Sequence, residues 1–133
     1  MSNRNIKDAS KEVTKALPAA AASANSDSID LGPNPGQIED VEVEIEVEAT
    51  TALVDTKYIR VKLQDSADDS SFADIEEFAN PLVNIVSSGG GSPETKLQVR
   101  LPRTVRRYIR AVSSVEDGGG SVIAQNTRLR LLF

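Results

Sequence analysis

Residues 41–49 read VEVEIEVEA, four aliphatic side chains alternating without interruption with four glutamates. In a β-strand successive side chains point to opposite faces, so Val41, Val43, Ile45 and Val47 share one face while Glu42, Glu44, Glu46 and Glu48 share the other. A helix would scatter both sets around its circumference. The stretch is therefore a strand with one buried face, and the rest of the chain must supply what buries it. The same period of two recurs at Ile59, Val61 and Leu63, at Leu97, Val99 and Leu101, and at Leu129, Leu131 and Phe133. These residues are the expected core, and it is aliphatic: the chain has three Phe, two Tyr and no Trp.

Short patterned segments continue on either side of this strand. Strands are expected at 28–31, 38–50, 57–65, 72–78, 82–87, 96–101, 107–115 and 122–133. Between them fall GPNPG, SSGGGSP and EDGGGS, whose glycines supply positive φ and whose prolines stop a ladder. With 133 residues the chain is one domain by size. Seven or eight short strands in one domain without a long helical pattern predict an all-β fold, an antiparallel sandwich or barrel.

The first residues differ. Residues 1–26 are polar and alanine-rich, and NIKDASKEVTKAL at 5–17 places Ile6, Val13 and Leu17 near one helical face, ending at Pro18. A helix of about three turns is marginal in water without a partner, and Lys7, Lys11 and Lys15 stack as like charges at i, i+4 spacing. The expectation is a flexible arm over 1–26 that orders on contact and is dispensable for folding, followed by a sandwich domain over 27–133.

Composition removes whole classes of chemistry. There is no histidine and no cysteine, so imidazole acid–base catalysis, thiolate nucleophiles, disulfides and thiolate zinc sites are excluded. The net charge of −5, from 15 basic and 20 acidic residues, argues against general affinity for nucleic acid or anionic membrane. No apolar run is long enough to span a bilayer.

Two charged segments invite a functional reading. The glutamates of 42–48 need bases opposite them, because like charges across strands destabilise. Arg60 and Lys62 fit if TTALVD makes a hairpin, and Arg128 and Arg130 fit if the C-terminal strand docks alongside. A divalent-cation site is the sharper alternative, but residues two apart on a strand are about 7 Å apart and do not converge on one ion. The loop DSADDSSFADIEE gathers Asp65, Asp68, Asp69 and Asp74 without EF-hand spacing; a solvated acidic loop is the expectation, with no metal site. VRLPRTVRRYIRA, residues 99–111, carries five arginines and no acid, and Arg103, Arg106 and Arg107 crowd a strand connection. Arginine's fork binds carboxylate or phosphate bidentately, so Arg103, Arg106 and Arg107 suit a protein interface or a phosphate, or else pair with the chain's own acids.

KALPAAAASANSDSIDLG (15–32), KLQDSADDSSFADI (62–75), RLPRTVRRYIRA (100–111) and the terminal LRLLF together resemble the small jelly-roll capsid cement, or decoration, proteins of tailed bacteriophages, over roughly residues 13–133. The resemblance implies a jelly-roll-like sandwich of about eight strands, often trimeric, on the outer capsid surface of the virion, made in the host cytoplasm. It implies a major capsid protein as partner, with no catalysis and no cofactor. The expected subunit or capsid interface comprises Ile6, Val13 and Leu17 of the arm, the arginines Arg103, Arg106 and Arg107, and Asp68 and Asp69 of the acidic loop. In a trimer those arginines would meet the acidic loop of the next subunit. A carbohydrate- or ligand-binding jelly-roll module is the rival reading. An enzyme has the least support, since no carboxylate pair is identifiably set in an apolar environment.

Overall fold

A computed structural model describes residues 7–33, 41–78 and 81–132. The described residues are all-β, with ten strands among them: β1 (Lys7–Ala16), β2 (Ser23–Asn25), β3 (Ile29–Asp30), β4 (Glu42–Val47), β5 (Tyr58–Ser66), β6 (Ala73–Asp74), β7 (Val83–Val86), β8 (Thr95–Arg100), β9 (Tyr108–Val115) and β10 (Asn126–Leu132). One 3₁₀ turn, Glu76–Phe78, follows β6. The first sheet runs β1-β10-β4-β8; the second runs β2-β9-β5-β6, with β3 also on β9 and β7 also on β5. All pairings are antiparallel.

The pairing pattern is nested. β1 pairs with β10, β2 and β3 with β9, β4 with β8, and β5 with β6 and β7. Counting β2 with β3 and β6 with β7 as interrupted single strands, this is an eight-strand hairpin rolled into two sheets, which is a jelly roll.

Each of the eight segments expected from the sequence contains a strand. The exceptions lie at the N-terminus. Residues 7–16, expected as part of a helix, form edge strand β1 on β10, with an irregularity in register between Lys7 and Glu12. β2, a three-residue strand, was not anticipated. Residues 7–26 thus run through both sheets, and Leu17 is a core residue, 2% exposed, whose amide donates to the Gln125 carbonyl. The physical reason is partnership: β10 offers a free edge, and a marginal helix with stacked lysines offers less than a full ladder of backbone hydrogen bonds.

The core lies between the sheets where the period of two placed it. Val43, Ile45, Val47, Ile59, Val61, Leu63 and Leu129 are fully buried, and Leu101 and Leu131 nearly so. Leu97, Val99 and Val41 are partly buried against it; Phe133 lies outside the described residues. The GGG of the β7–β8 connection adopts positive φ at Gly89, Gly90 and Gly91. At Gly91 a Cβ would meet the Thr50 carbonyl oxygen at 2.8 Å, so glycine is required there by space as well as conformation.

Candidate functional site

The arginine-rich segment and the acidic loop meet within one chain, at the corner where β3, β5 and β9 end. Pro102 ends the extension of β8, and the connection 101–107 brings Arg106 over Asp65 at the end of β5. Asp65 accepts four contacts' worth of order at this point: its carboxylate takes the Arg106 backbone amide at 2.9 Å, Nε at 3.0 Å and Nη2 at 2.8 Å, while its carbonyl takes Nη2 at 2.8 Å. The Asp65 side chain is buried by this lid. Next to it, Arg107 forks onto Asp30 of β3, with Nε and Nη2 donating at 2.8 and 3.0 Å, and this holds the guanidinium's pKa above its ordinary value. Arg107 also lies over the Tyr108 ring.

The acidic loop is tied to the same corner. Asp68 organises the turn by accepting from the Ser70 and Ser71 amides and the Ser66 hydroxyl. The Ser71 amide bond foremost, then those of Ser66 and Ser70, lower its pKa. Asp69, at positive φ, accepts from the Ser28 hydroxyl. Asp74 accepts from Gln64 and Lys62, and these bonds lower its pKa in that order. Each carboxylate has its own partner and none converges on a common point. Among the described residues no group of three or more carboxylates is placed to hold a metal ion.

Of the interface residues expected from sequence, Arg106, Arg107, Asp68 and Asp69 lie at this one corner, each bonded to a different residue of the same chain: Asp65, Asp30, the serines of the turn and Ser28. Arg103 sits exposed in the connection above them. Val13 is partly buried against the core and Leu17 is within it; Ile6 lies outside the described residues. Asp30 is the residue the sequence reading missed. Its only signal was a lone acid opposite an arginine, 77 positions apart, and no local pattern carries such a pair.

The glutamate stripe forms the outer face of the first sheet. β10, not β5, is its neighbour: Arg128 stands opposite Glu46 and Arg130 opposite Glu44. Arg60 and Lys62 belong to the other sheet, so TTALVD crosses between sheets instead of turning a hairpin. Arg130 donates to Glu44 at 2.7 Å and to Glu46 at 3.1 Å, and reaches Glu12 of β1 at 3.2 Å. Arg128 bridges Glu46 and Glu48 at 3.0 and 2.7 Å. The stripe is not wet: Glu44 and Glu46 are only 5% and 6% exposed under these arginines. Burial pushes the Glu46 pKa up, but hydrogen bonds and charge from Arg130 and Arg128 outweigh it and leave the value lowered. Burial likewise opposes the charge on Arg130, and the glutamates outweigh it, so its pKa is raised.

What these sites define is an eight-stranded jelly roll whose glutamate stripe and corner acids Asp30 and Asp65 are answered by arginines of the same chain. A family model described as Bbp16 matches residues 13–125, and the chain belongs to the Bbp16 family. No curated protein matches the chain.

Proposed function

We propose that this protein is a non-enzymatic virion component, a capsid cement or decoration protein that binds the outer surface of a tailed-phage shell and bridges major capsid proteins. The observation that carries the reading is the corner cluster. Three of the four segments behind the resemblance are one another's polar partners: Asp30 and Ser28 from the first, Asp65 and Asp69 from the second, Arg106 and Arg107 from the third. Segments that are individually ordinary strands with turns thus form one coupled unit, which favours a common origin for the resemblance over chance likeness in each.

The mechanism is additive. An interface of modest area repeated at every site on a shell stabilises it against internal pressure without any single contact being strong. A scaffold for this work needs rigid faces, and the paired charges of the first sheet and of the corner cluster support that. Co-sedimentation with empty shells, combined with the mass in solution, tests the proposal. Binding to shells is the expected result, with a trimeric mass if the oligomer implied by the resemblance holds; a chain that stays in the supernatant with every shell of its source phage overturns it.

A further inference from the structure

The outer face of the second sheet differs from that of the first. On the first, arginines answer glutamates. On the second, Arg60 of β5 has no carboxylate within ion-pair distance among the described residues. Its Nε donates to the Asn84 amide oxygen of β7 at 3.0 Å, and its guanidinium carbon lies 3.7 Å from the Tyr58 ring centroid. Arg110 of β9 is held the same way, donating to Gln64 at 2.7 and 3.0 Å with the Phe72 ring 4.1 Å away. Both arginines are therefore immobilised by neutral partners and aromatic planes, which fix the fork without neutralising it.

Arg60 opens onto a cleft of about 300 Å³ that Lys62, Ser23, Ser114 and Pro81 also line. Lys62 is already claimed by Asp74 at 3.1 Å. Arg60, Lys62 and Arg110 against Asp74 leave this face positive, in a chain whose net charge is −5. A local excess of the rarer sign, held rigid beside two hydroxyls, is complementary to an anion.

We propose that this cleft is a docking site for the carboxylate of an acidic segment on a partner protein, seated on the free edge of the Arg60 guanidinium. A phosphate is the poorer fit, because its second negative charge would face Asp74 across Lys62 and the two serines donate only neutral hydrogen bonds. Asp65, Asp68 and Asp69, the acids clustered in the chain's own acidic loop, are engaged at the corner, so that loop of a second copy offers less than an acidic partner does. The site stands on this geometry whether or not the partner is a capsid protein.

The test is a titration of the isotope-labelled full chain with a blocked hexaglutamate peptide, and separately with inorganic phosphate, read by nuclear magnetic resonance at arginine Nε–Hε and at backbone amides. The peptide is expected to shift Arg60 and the amides of Ser23 and Ser114 saturably while exposed Arg103 stays still. R60Q is expected to weaken binding by about tenfold with the remaining spectrum unchanged, the worth of one charge-assisted fork. No saturable shift, an equal shift at Arg103, or tighter binding of phosphate than of peptide overturns the proposal. So does self-association of the unliganded chain that R60Q abolishes, since the occupant would then be a second copy.

Discussion

The Arg130 guanidinium lies among three carboxylates drawn from two strands, Glu12 on β1 and Glu44 and Glu46 on β4. Little of it reaches solvent, so its removal takes a charged hydrogen bond from each of two buried glutamates, Glu44 and Glu46, and leaves Glu46 with Arg128 at 3.0 Å. Breaking a buried pair from one side costs about 3–5 kcal/mol, and Arg130→Ala is expected near the lower end because the face is only one layer from water. Urea denaturation measures this, with exposed Arg103→Ala as the control expected to stay within about 0.5 kcal/mol. Titration supplies a second expectation. Glu46 has a folded-state pKa below its ordinary 4.5, so between the two values the unfolded chain binds more protons than the folded one. Its contribution is present above about 4.5 and is lost as pH falls through the lowered value. The melting temperature is expected to hold from neutrality to about pH 5 and then fall. In Glu46→Gln the fall should be shallower, from a lower starting point; an unchanged slope would place the acid sensitivity elsewhere.

At the scale of elements, β1 shows what the sequence makes visible and what it hides. β4, β5 and β10 announce themselves by strict alternation, because each buries a full row of aliphatic side chains on one face. The glutamate stripe likewise named its partner: Arg128 and Arg130 were one of two candidate sets that fitted the parity, and choosing between them required knowing which strands are neighbours. β1 carries no such row. Its register runs Val13 opposite Leu129 and Lys15 opposite Thr127, so a lysine interrupts the inward face, and the irregularity between Lys7 and Glu12 shifts the parity before that. With Ile6, Val13 and Leu17 spaced as they are, the helical reading fits the apolar residues as well as the extended one does. The corner cluster was half legible for a similar reason: sequence shows an arginine cluster and an acid cluster but not whether they meet within a chain or between chains. The element-scale prediction reverses the expectation of a dispensable arm. A chain starting at Asp27 loses β1, β2, the Leu17 side chain and the Glu12 contact to Arg130, and bares the edge of β10. It is expected to aggregate or to melt at least 10 °C below the full chain, about 2 kcal/mol or more for a domain of this size, as circular dichroism and light scattering would show. An equal melting temperature would restore the arm reading.

Over the whole molecule the nested pairing has a consequence for the chain's path. Lys7 stands opposite Leu132, so the first strand and the last are antiparallel neighbours. Joining the ends through residue 133 and residues 1–6 would turn β1 and β10 into a local hairpin without asking any strand to move. A new opening is available between Gly89 and Gly90, where the backbone is exposed and an added Cβ would meet nothing within 4 Å at either residue. The cut leaves the backbone bonds of Ser87, Gly91 and Ser92 to 50–57 on their own sides, and the Ser87 hydroxyl bond to the Gly91 carbonyl spans it. Loop-closure cost changes only logarithmically with length, by about 0.6 kcal/mol per doubling, so stability depends on the set of strand pairs and hardly on which loop is open. Such a circular permutant is expected to reach the same fold with a melting temperature within about 5 °C of the unpermuted 133-residue chain's. Its refolding should also be faster, because the pair most distant in sequence has become adjacent and long-range pairing is what slows sandwiches. Stopped-flow refolding and thermal melts check both halves. A permutant that folds to a different sheet content would mean that the β1–β10 pairing depends on free ends, and the rolled-hairpin account of this jelly roll would fail with it.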